Sequence, residues 1–312
     1  MSDMKEKNIR DVVIIGGGPA GYTAALYAAR AGLSVLVVEK FSAGGQMTET
    51  MQIDNYPGFD EGVDGFTLGA KMQAGAERFG AETVNSEVLS VDLLAVPKML
   101  TLDTGEEIYA KSVIIATGAV HKHLGVADEE SLIGRGVGYC AACDGMLYRG
   151  KTVAVVGGGN SAAADALLLS KICKKVYLIH RRDTLRAERI YHDPLMNAEN
   201  VEFVWNSEVE SLIYAARLGG VRIKNKESGE CREIDIDGLF ISIGRSPATA
   251  LFTEQLALDG AGYIIADETT KTSVDGVFAV GDVRTKPFRQ IATAVADGAV
   301  AAHFADGYIS NL

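Results

Sequence analysis

DVVIIGGGPAGYTAALYAARAGLSVLVVEK, residues 11–40, is the stretch that decides the fold. An apolar run enters the pattern Gly16-x-Gly18-x-x-Gly21, an alanine-rich segment follows, and a second apolar run occupies residues 35–38. This order predicts a strand, a tight turn, a helix and a parallel strand. In such a unit the glycines permit the turn, let the backbone approach a pyrophosphate and bring the helix close to the strand. The stretch therefore indicates a dinucleotide site at the start of the helix.

An acidic residue, Glu39, ends the second predicted strand. A carboxylate at this place accepts hydrogen bonds from ribose hydroxyls and repels a ribose 2′-phosphate. A single glycine turn between strand and helix often binds nothing, so the turn alone leaves that interpretation open. Together with the carboxylate, it favours a dinucleotide that lacks the 2′-phosphate.

The same pattern recurs in KTVAVVGGGNSAAADALLLSKICKKVYLIHRRD, residues 151–183, around Gly157-x-Gly159-x-x-Ala162. The residue 23 positions after the first glycine is an acid in the first unit and His180 in the second. Basic residues follow it, namely Arg181, Arg182 and Arg186. Clustered guanidinium groups bind a phosphate through charge-assisted hydrogen bonds, so the second unit is predicted to prefer NADP(H). A solvated basic stretch at a helix start is the alternative.

The arrangement of the two units predicts an α/β protein with two Rossmann-like, three-layer nucleotide-binding domains, the second inserted into the first. Further strands are expected over residues 112–116, 239–243 and 277–280, and the glycines that follow each of them suit a crevice at the carboxyl ends of a parallel sheet. Short meander strands are expected over residues 87–103 and 105–110, and again over residues 201–237. No proline-rich linker separates the units, so short connections near Gly118 and Gly244 are expected.

Composition and charge exclude several classes of function. The chain has 312 residues, enough for two domains, and a formal net charge of −11, which repels nucleic acids and anionic membrane surfaces. The start, MSDMKEKNIR, lacks the pattern of a signal peptide, and no apolar run reaches the roughly 18 residues that span a bilayer. We therefore expect a cytoplasmic protein that binds neither nucleic acid nor membrane.

A cysteine pair, Cys140 and Cys143 in CxxC spacing, precedes the second unit. Such a pair can cycle between dithiol and disulfide, and its thiolate attacks a partner disulfide. Asp144 beside it is interpreted either as an acid–base group or as a turn former. Zinc is the rival interpretation of the pair, but no second closely spaced cysteine pair follows, so no metal is predicted. The nearest histidine pair is His121-x-His123, while Cys173 and Cys231 stand alone.

These motifs closely resemble those of the low-molecular-weight, bacterial-type thioredoxin reductases. The resemblance runs from Asp11 to about Gly307, nearly the whole chain. It is carried by GGGPAGYTAA, GGQM, ATGA, CAACDG, GGGNSAAADAL, HRRDTLRA and GVFAVGD, followed by Arg289-Gln290. It implies an FAD-binding domain over residues 1–118 and 245–312, and an NADPH-binding domain over residues 119–244 that carries the redox-active CxxC.

The resemblance also implies the site residues. For FAD they are Gly16, Gly18, Pro19, Ala20, Gly21, Glu39, Lys40, Gly45, Gln46, Asn55, Ala116, Thr117, Gly118, Gly281, Asp282, Arg289, Gln290 and Ile291. For NADPH they are Gly159, Asn160, Ser161, His180, Arg181, Arg182, Arg186 and Ile243. The implied catalytic residues are Cys140, which attacks the substrate disulfide, Cys143, which faces the flavin, and Asp144, which moves the proton.

The implied activity is an NADPH-dependent thioredoxin-disulfide reductase, in which electrons pass from NADPH to FAD, to the cysteine pair and then to thioredoxin. The resemblance further implies a homodimer and a rotation of the inserted domain between half-reactions, with hinges near residues 118–120 and 244–246. Met146 and Leu147 stand where the family usually has two aromatics, so a thioredoxin-like or glutaredoxin-like partner remains open. Ile291 stands where alanine usually follows Arg-Gln, and little effect is expected.

Other classes fit the sequence less well. Peroxiredoxin reductases carry an added N-terminal region, larger disulfide reductases place the cysteines after the first unit, and related ferredoxin-NADP reductases lack CxxC. Ferredoxin as an electron donor is an open alternative that the arginine cluster disfavours. A non-catalytic redox sensor or a zinc-stabilised binding module is the alternative from a different class, since a fold does not prove a function.

Overall fold

The computed structural model describes residues 9–50 and 52–312, and these residues form two compact units. The first unit comprises residues 9–48, 56–120 and 246–312, and the second comprises residues 121–245 and the described part of 49–55. The chain thus leaves the first unit, forms most of the second and returns.

The first part of the chain contains β1 (Ile9–Ile15), α1 (Pro19–Arg30), β2 (Val35–Glu39), α2 (Gly65–Glu77), β3 (Glu82–Asn85), β4 (Val88–Asp92), β5 (Lys98–Leu102), β6 (Glu107–Ile115) and β7 (Ala119–His121). The middle part contains β8 (Val137–Gly138), α3 (Ala141–Asp144), β9 (Thr152–Val156), α4 (Asn160–Ser170), β10 (Lys175–Ile179), α5 (His192–Met196), β11 (Val201–Val204), β12 (Ser207–Tyr214), β13 (Leu218–Asn225), β14 (Cys231–Asp235) and β15 (Gly238–Ile241). The last part contains β16 (Arg245–Pro247), β17 (Val277–Ala279) and α6 (Ile291–Ile309). Short 3-10 helices occupy Gly45–Glu49, Glu130–Leu132, Gly145–Tyr148, Arg189–Tyr191, Ala250–Phe252 and Gly281–Val283.

The sheet of the first unit has seven strands, in the order β3-β2-β1-β6-β5-β4, and β17 also pairs with β6. Strands β3, β2, β1, β6 and β17 are parallel, whereas β5 and β4 are antiparallel to their neighbours. The register sets Ile15 opposite both Val38 and Ile115, so the carboxyl ends of three strands meet at one edge. Ligands of open α/β sheets bind at such an edge.

The sheet of the second unit runs β11-β10-β9-β15-β8, with every pair parallel. A separate three-stranded antiparallel sheet, β12-β13-β14, packs against it through the shared core cluster that contains Ala154 and Val221. The connecting strands β7 and β16 form a two-stranded sheet of their own. This unit repeats the scheme of the first.

Alternation along the central strands explains why each unit has three layers. In β1, Val12 and Ile14 pack with the alanines of α1 and α6, while Val13 and Ile15 point to the opposite face. In β9, Val153 and Val155 pack with α4, and the remaining apolar residues face the meander. Strands buried on both faces are typical of parallel sheets covered on both sides, and the predicted α/β class is confirmed.

Two strand assignments differ from the sequence prediction. Residues 105–110 and 112–116 were predicted as separate strands, but Glu107–Ile115 is one strand that pairs antiparallel with β5 and parallel with β1. The segment 201–237 was predicted as meander, but Val201–Val204 pairs parallel with β10 and belongs to the central sheet. In both cases the side-chain pattern is the same for either partner, so only the pairing distinguishes them.

Close packing of α1 against α6 depends on Gly298. A Cβ built there would lie 2.3 Å from the carbonyl oxygen of Ala20 and 2.9 Å from the amide nitrogen of Ala24. By contrast, a Cβ at Gly307 in the same helix would have no atom within 4 Å.

We therefore expect Gly298→Ala to separate the two helices and to lower the free energy of unfolding by about 1–3 kcal/mol. The matched variant Gly307→Ala should raise it by up to about 1 kcal/mol, because it removes the helix cost of glycine without a clash. Thermal unfolding monitored by circular dichroism measures both. Equal shifts for the two variants would contradict the packing argument.

Candidate active site

The first glycine turn joins β1 to α1. Gly16 has φ +106°, and a Cβ there would lie 2.5 Å from the carbonyl oxygen of Ala116, the residue that follows β6. Gly21 packs even closer, since its Cβ would lie 1.9 Å from the Gly16 oxygen. Gly18 caps α1 without a side-chain hydrogen bond, and the nearest atom to a Cβ there is 4.0 Å away. The turn thus leaves open space before free helix N–H groups, which fits a phosphate.

Glu39 lies at the end of β2 with its carboxylate against this turn. It is buried, Oε2 accepts a hydrogen bond from the Gly17 N–H at 2.6 Å, and Oε1 accepts one from the Phe41 N–H at 3.0 Å. Two backbone donors fix the carboxylate before any ligand arrives. Lys40, also predicted to contact a cofactor, forms an ion pair with Glu87 at 2.8 Å.

Other predicted flavin residues of the first unit surround the same turn. The Gly44 N–H donates to the Gly17 oxygen at 2.8 Å, and a Cβ at Gly45 would lie 3.5 Å from the Gly18 Cα. A Cβ at Gly281 would lie 3.1 Å from the Ala20 Cβ. The remaining positions lie as follows: Gln46 follows Gly45 in a 3-10 helix, Pro19 begins α1, Thr117 donates to the Ala248 oxygen, Gly118 precedes β7, Asp282 follows Gly281 in a 3-10 helix, Arg289 stacks on Tyr263, and Gln290 and Ile291 begin α6. Asn55 falls in the second unit.

A buried charge cluster behind Gly281 was missed by sequence reasoning. Asp297 accepts the Gly281 N–H at 2.8 Å, a pair of hydrogen bonds from Arg284 at 2.8 and 2.9 Å, and one from Lys286 at 2.7 Å. Burial alone would raise the pKa of Asp297, but the hydrogen bonds from the two cations outweigh it and hold the pKa below its ordinary value. The cluster fixes the loop that carries Gly281. Its members lie 13 and 11 residues apart in sequence, a spacing that matches no motif.

The second glycine turn, between β9 and α4, has the same geometry. Gly157 has φ +148°, and a Cβ there would lie 2.3 Å from the carbonyl oxygen of Ser242, the residue that follows β15. Gly159 caps α4 without a side-chain hydrogen bond, and a Cβ there would have no atom within 4 Å. Ser161 lies in the first turn of α4, and Ile243 follows Ser242. This turn also presents free N–H groups to an open space.

His180 and the arginines follow β10 beside this second turn. The His180 ring is 4% exposed and lies where a Cβ on Gly158 would stand, 2.2 Å from its nearest ring atom. Burial, and then the charges of Arg186, Arg182 and Arg181, lower the pKa of His180. Its Nε2 has no hydrogen-bond partner among the described residues. Such an orphaned buried atom fits a ligand that would complete it.

All three arginines of this loop are exposed, and none forms an ion pair with a described carboxylate. Three unpaired guanidinium groups beside a helix N-terminus attract a dianion. The first unit presents a carboxylate at the equivalent position. The residues present therefore fit a dinucleotide without a 2′-phosphate in the first unit and a 2′-phosphorylated one in the second.

The cysteine pair lies at the start of α3. Cys140 and Cys143 form a disulfide with a Cα–Cα distance of 5.3 Å, within the normal range. The Cys143 and Asp144 N–H groups donate to the Cys140 oxygen at 3.2 and 3.1 Å, so the helical turn itself fixes the spacing. Both sulfur-bearing residues are partly exposed, and Met146 and Leu147 next to them are about half exposed, at 50% and 53%.

Asp144 is partly buried beside the disulfide, with Oδ2 3.3 Å from the position of a Cβ on Gly138. Burial raises the pKa of Asp144 to about 6. A carboxyl group with this pKa exchanges protons near neutral pH, which is what an acid–base residue needs.

The zinc alternative finds no support in the residues described. No group of three or more His, Cys, Asp or Glu there could hold a metal ion. His121 stacks on Tyr139 with ring centroids 4.7 Å apart, and the His123 Nδ1 lies 2.9 Å from the Tyr139 hydroxyl. Of the lone cysteines, Cys173 is buried with its pKa raised to about 11, and Cys231 is exposed.

Helices long and apolar enough to cross a bilayer are also absent from the described part of the chain.

Comparison with known proteins identifies the family of this chain. The family described as pyridine nucleotide-disulphide oxidoreductase matches residues 10–298. Thioredoxin reductase of Streptomyces clavuligerus is 44% identical over 98% of this chain and 95% of its own length, and that of Listeria monocytogenes is 43% identical over 98% and 96%. The crystal structure of thioredoxin reductase from Streptococcus pyogenes matches with a TM-score of 0.91 at 41% identity, covering 98% of this chain and 100% of that one.

The two glycine turns differ in charge, and the second unit carries a CxxC disulfide. Both features agree with the near-complete coverage by these relatives. The chain is an oxidoreductase that belongs to the pyridine nucleotide-disulphide oxidoreductase family.

Proposed function

We propose that this enzyme uses FAD and NADPH to reduce the disulfide of thioredoxin or a thioredoxin-like protein through Cys140 and Cys143. The observation that carries the proposal is the contrast between Glu39 and the His180–arginine loop at equivalent places after the two glycine turns. The carboxylate suits ribose hydroxyls, and the unpaired guanidinium groups suit a 2′-phosphate. The names of the relatives support the protein substrate.

In this proposal residues 1–118 and 245–312 bind FAD, and residues 119–244 bind NADPH. When bound, the two cofactors supply two electrons to the disulfide. The protein holds the FAD phosphates at the first glycine turn and the ribose at Glu39, and it holds the 2′-phosphate with Arg181, Arg182 and Arg186. Because the pyridine nucleotide and the cysteine pair share one domain, we also propose that this domain rotates about the β7 and β16 connections between half-reactions.

Exchange with the substrate needs only residues of this chain. The Cys140 thiolate attacks one sulfur of the substrate disulfide, forms a mixed disulfide, and releases the other substrate sulfur, which takes up a proton. The Cys143 thiolate then attacks the Cys140 sulfur, re-forms the Cys140–Cys143 disulfide, and releases the second substrate thiol. The Asp144 carboxylate accepts the proton that the attacking thiol loses, and its raised pKa of about 6 keeps it able to return that proton near neutral pH.

Asp144→Asn should slow this exchange roughly 100-fold at neutral pH, because the amide cannot accept a proton. In the wild type, exchange should slow as the pH falls through about 6, since the protonated carboxyl cannot act as a base. The variant should lack this decline. Stopped-flow mixing of the reduced enzyme with oxidised thioredoxin across pH 5–8 measures both. A variant that keeps the decline near pH 6 would assign the titration to another group.

Removal of the arginines should change the choice of coenzyme. We expect the double variant Arg181→Ala, Arg182→Ala to raise the KM for NADPH by about tenfold or more, because each charged hydrogen bond contributes roughly 1.5–3 kcal/mol. The KM for NADH should change little. Arg222→Ala, which removes an exposed charge elsewhere in the same unit, is the control. Parallel changes for both coenzymes would contradict recognition of the 2′-phosphate.

The exposed pair Met146 and Leu147 provides an apolar seat beside the disulfide. Leu147→Asp should raise the KM for oxidised thioredoxin several-fold, because a charge would face an apolar partner surface. Leu147→Phe should keep or lower that KM. Steady-state assays with NADPH and thioredoxin measure this, with Cys143→Ser as the inactive reference. If Leu147→Asp leaves the KM for thioredoxin unchanged, the partner docks elsewhere.

A further inference from the structure

The loop after β10, residues 181–188, is held more firmly than its composition suggests. Its charged residues point to solvent, yet Leu185 and Ala187 are each only 8% exposed and join the core under α4. This alternation directs the side chain of Arg186, which lies between them, outward. The buried side chains of Leu185 and Ala187 thus hold the loop against the core, whereas other contacts must hold it against the glycine turn.

Backbone hydrogen bonds tie the loop to that turn. The Gly158 oxygen accepts the N–H groups of Arg186, at 2.7 Å, and Ala187, at 3.1 Å. At the other end of the loop, the Arg182 oxygen accepts the Asn206 N–H at 3.1 Å. The peptide group of Arg186 is therefore joined to the glycine turn that would approach the phosphates, and that of Arg182 is joined to the segment after β11.

A reciprocal pair, Asn160 with Glu188, closes the loop. The Glu188 N–H donates to Asn160 Oδ1 at 2.8 Å, and Asn160 Nδ2 donates to Glu188 Oε1 at 2.8 Å. Asn160 is the first residue of α4, so this pair joins the arginine loop to the helix N-terminus itself. Both ends of the Asn160 amide are engaged, although the sequence predicted this residue as a ligand contact.

The negative charge of Glu188 is unfavourable for binding an anion beside the arginines. An acid beside three guanidinium groups weakens the attraction for a dianion. Its presence is therefore explained by the hydrogen bond that its side chain accepts and not by its charge. Glutamine would keep an oxygen acceptor at the same place and remove the charge.

We propose that Asn160 and Glu188 act together as positioning residues, which hold the arginine loop against the start of α4 and so favour a 2′-phosphorylated nucleotide over an unphosphorylated one. This inference rests on the proposed use of NADPH. If the loop is already ordered in the free protein, binding does not have to order it. The Asn160–Glu188 pair, which we call the clamp, therefore raises the affinity for the phosphate without contacting it.

The test measures binding of adenosine 2′,5′-bisphosphate and adenosine 5′-monophosphate to the purified holoenzyme by calorimetry. Glu188→Ala removes the hydrogen bond between the two side chains and should weaken binding of the bisphosphate about fivefold. Asn160→Ala removes both hydrogen bonds of the pair and should weaken that binding at least as much. The double variant should weaken it no more than Asn160→Ala alone, because that substitution already removes both hydrogen bonds of the pair. Glu188→Gln should bind the bisphosphate at least as tightly as the wild type. Glu199→Ala, which removes an exposed acid elsewhere in the unit, is the control for net charge.

The outcomes separate the two claims. If the wild type binds the bisphosphate no better than the monophosphate, the proposed NADPH preference fails. If the wild type discriminates but the single losses multiply in the double variant, or if neither alanine variant weakens binding, the clamp is overturned and the proposed function stands. A loss in Glu188→Gln as large as that in Glu188→Ala would also overturn it, and so would equal losses for both nucleotides.

Discussion

Both units depend on the same backbone contact, in which a glycine lies against the carbonyl oxygen of the residue that follows the neighbouring parallel strand. In the first unit Gly16 meets the Ala116 oxygen, and in the second Gly157 meets the Ser242 oxygen. A Cβ at either glycine would come within 2.5 Å of that oxygen, so no other residue fits without displacing a strand. The contact sets the helix N-terminus at the carboxyl edge of the sheet, where its free N–H groups can receive a phosphate. The main difference between the two turns is added at the end of the next strand.

That addition is electrostatic. Glu39 is buried, and two backbone N–H groups hold its carboxylate in place. The side chain therefore does not have to be ordered when a ligand binds. His180 occupies the equivalent place as a buried ring whose pKa is lowered by burial and by the charges of the exposed arginines that follow it. One fold therefore presents two glycine turns of opposite charge within a single chain. The CxxC pair lies in the second unit, which carries the arginines.

The sequence predicted what local pattern determines. The glycine turns, the helices that follow them and the strand that ends in Glu39 all depend on residues close together in the chain. The pairing partners of the strands could not be predicted in the same way. Glu107–Ile115 and Val201–Val204 have the same side-chain pattern whichever neighbouring strand they join. The Asp297 cluster behind Gly281 and the Asn160–Glu188 pair were missed for a related reason. Each joins residues that are 11 to 28 positions apart in the sequence. Their side chains are polar, so the sequence alone is equally consistent with solvated surface residues.

In the proposed function, NADPH delivers electrons to the Cys140–Cys143 disulfide through this chain. The most direct measurement is anaerobic incubation of the FAD-loaded enzyme with NADPH or NADH, followed by alkylation and mass spectrometry of the cysteine peptides. We expect NADPH to make both Cys140 and Cys143 available to the alkylating reagent, and NADH at the same concentration to do so much more slowly. A disulfide that stays intact with NADPH, or that opens equally fast with NADH, would contradict the proposed function.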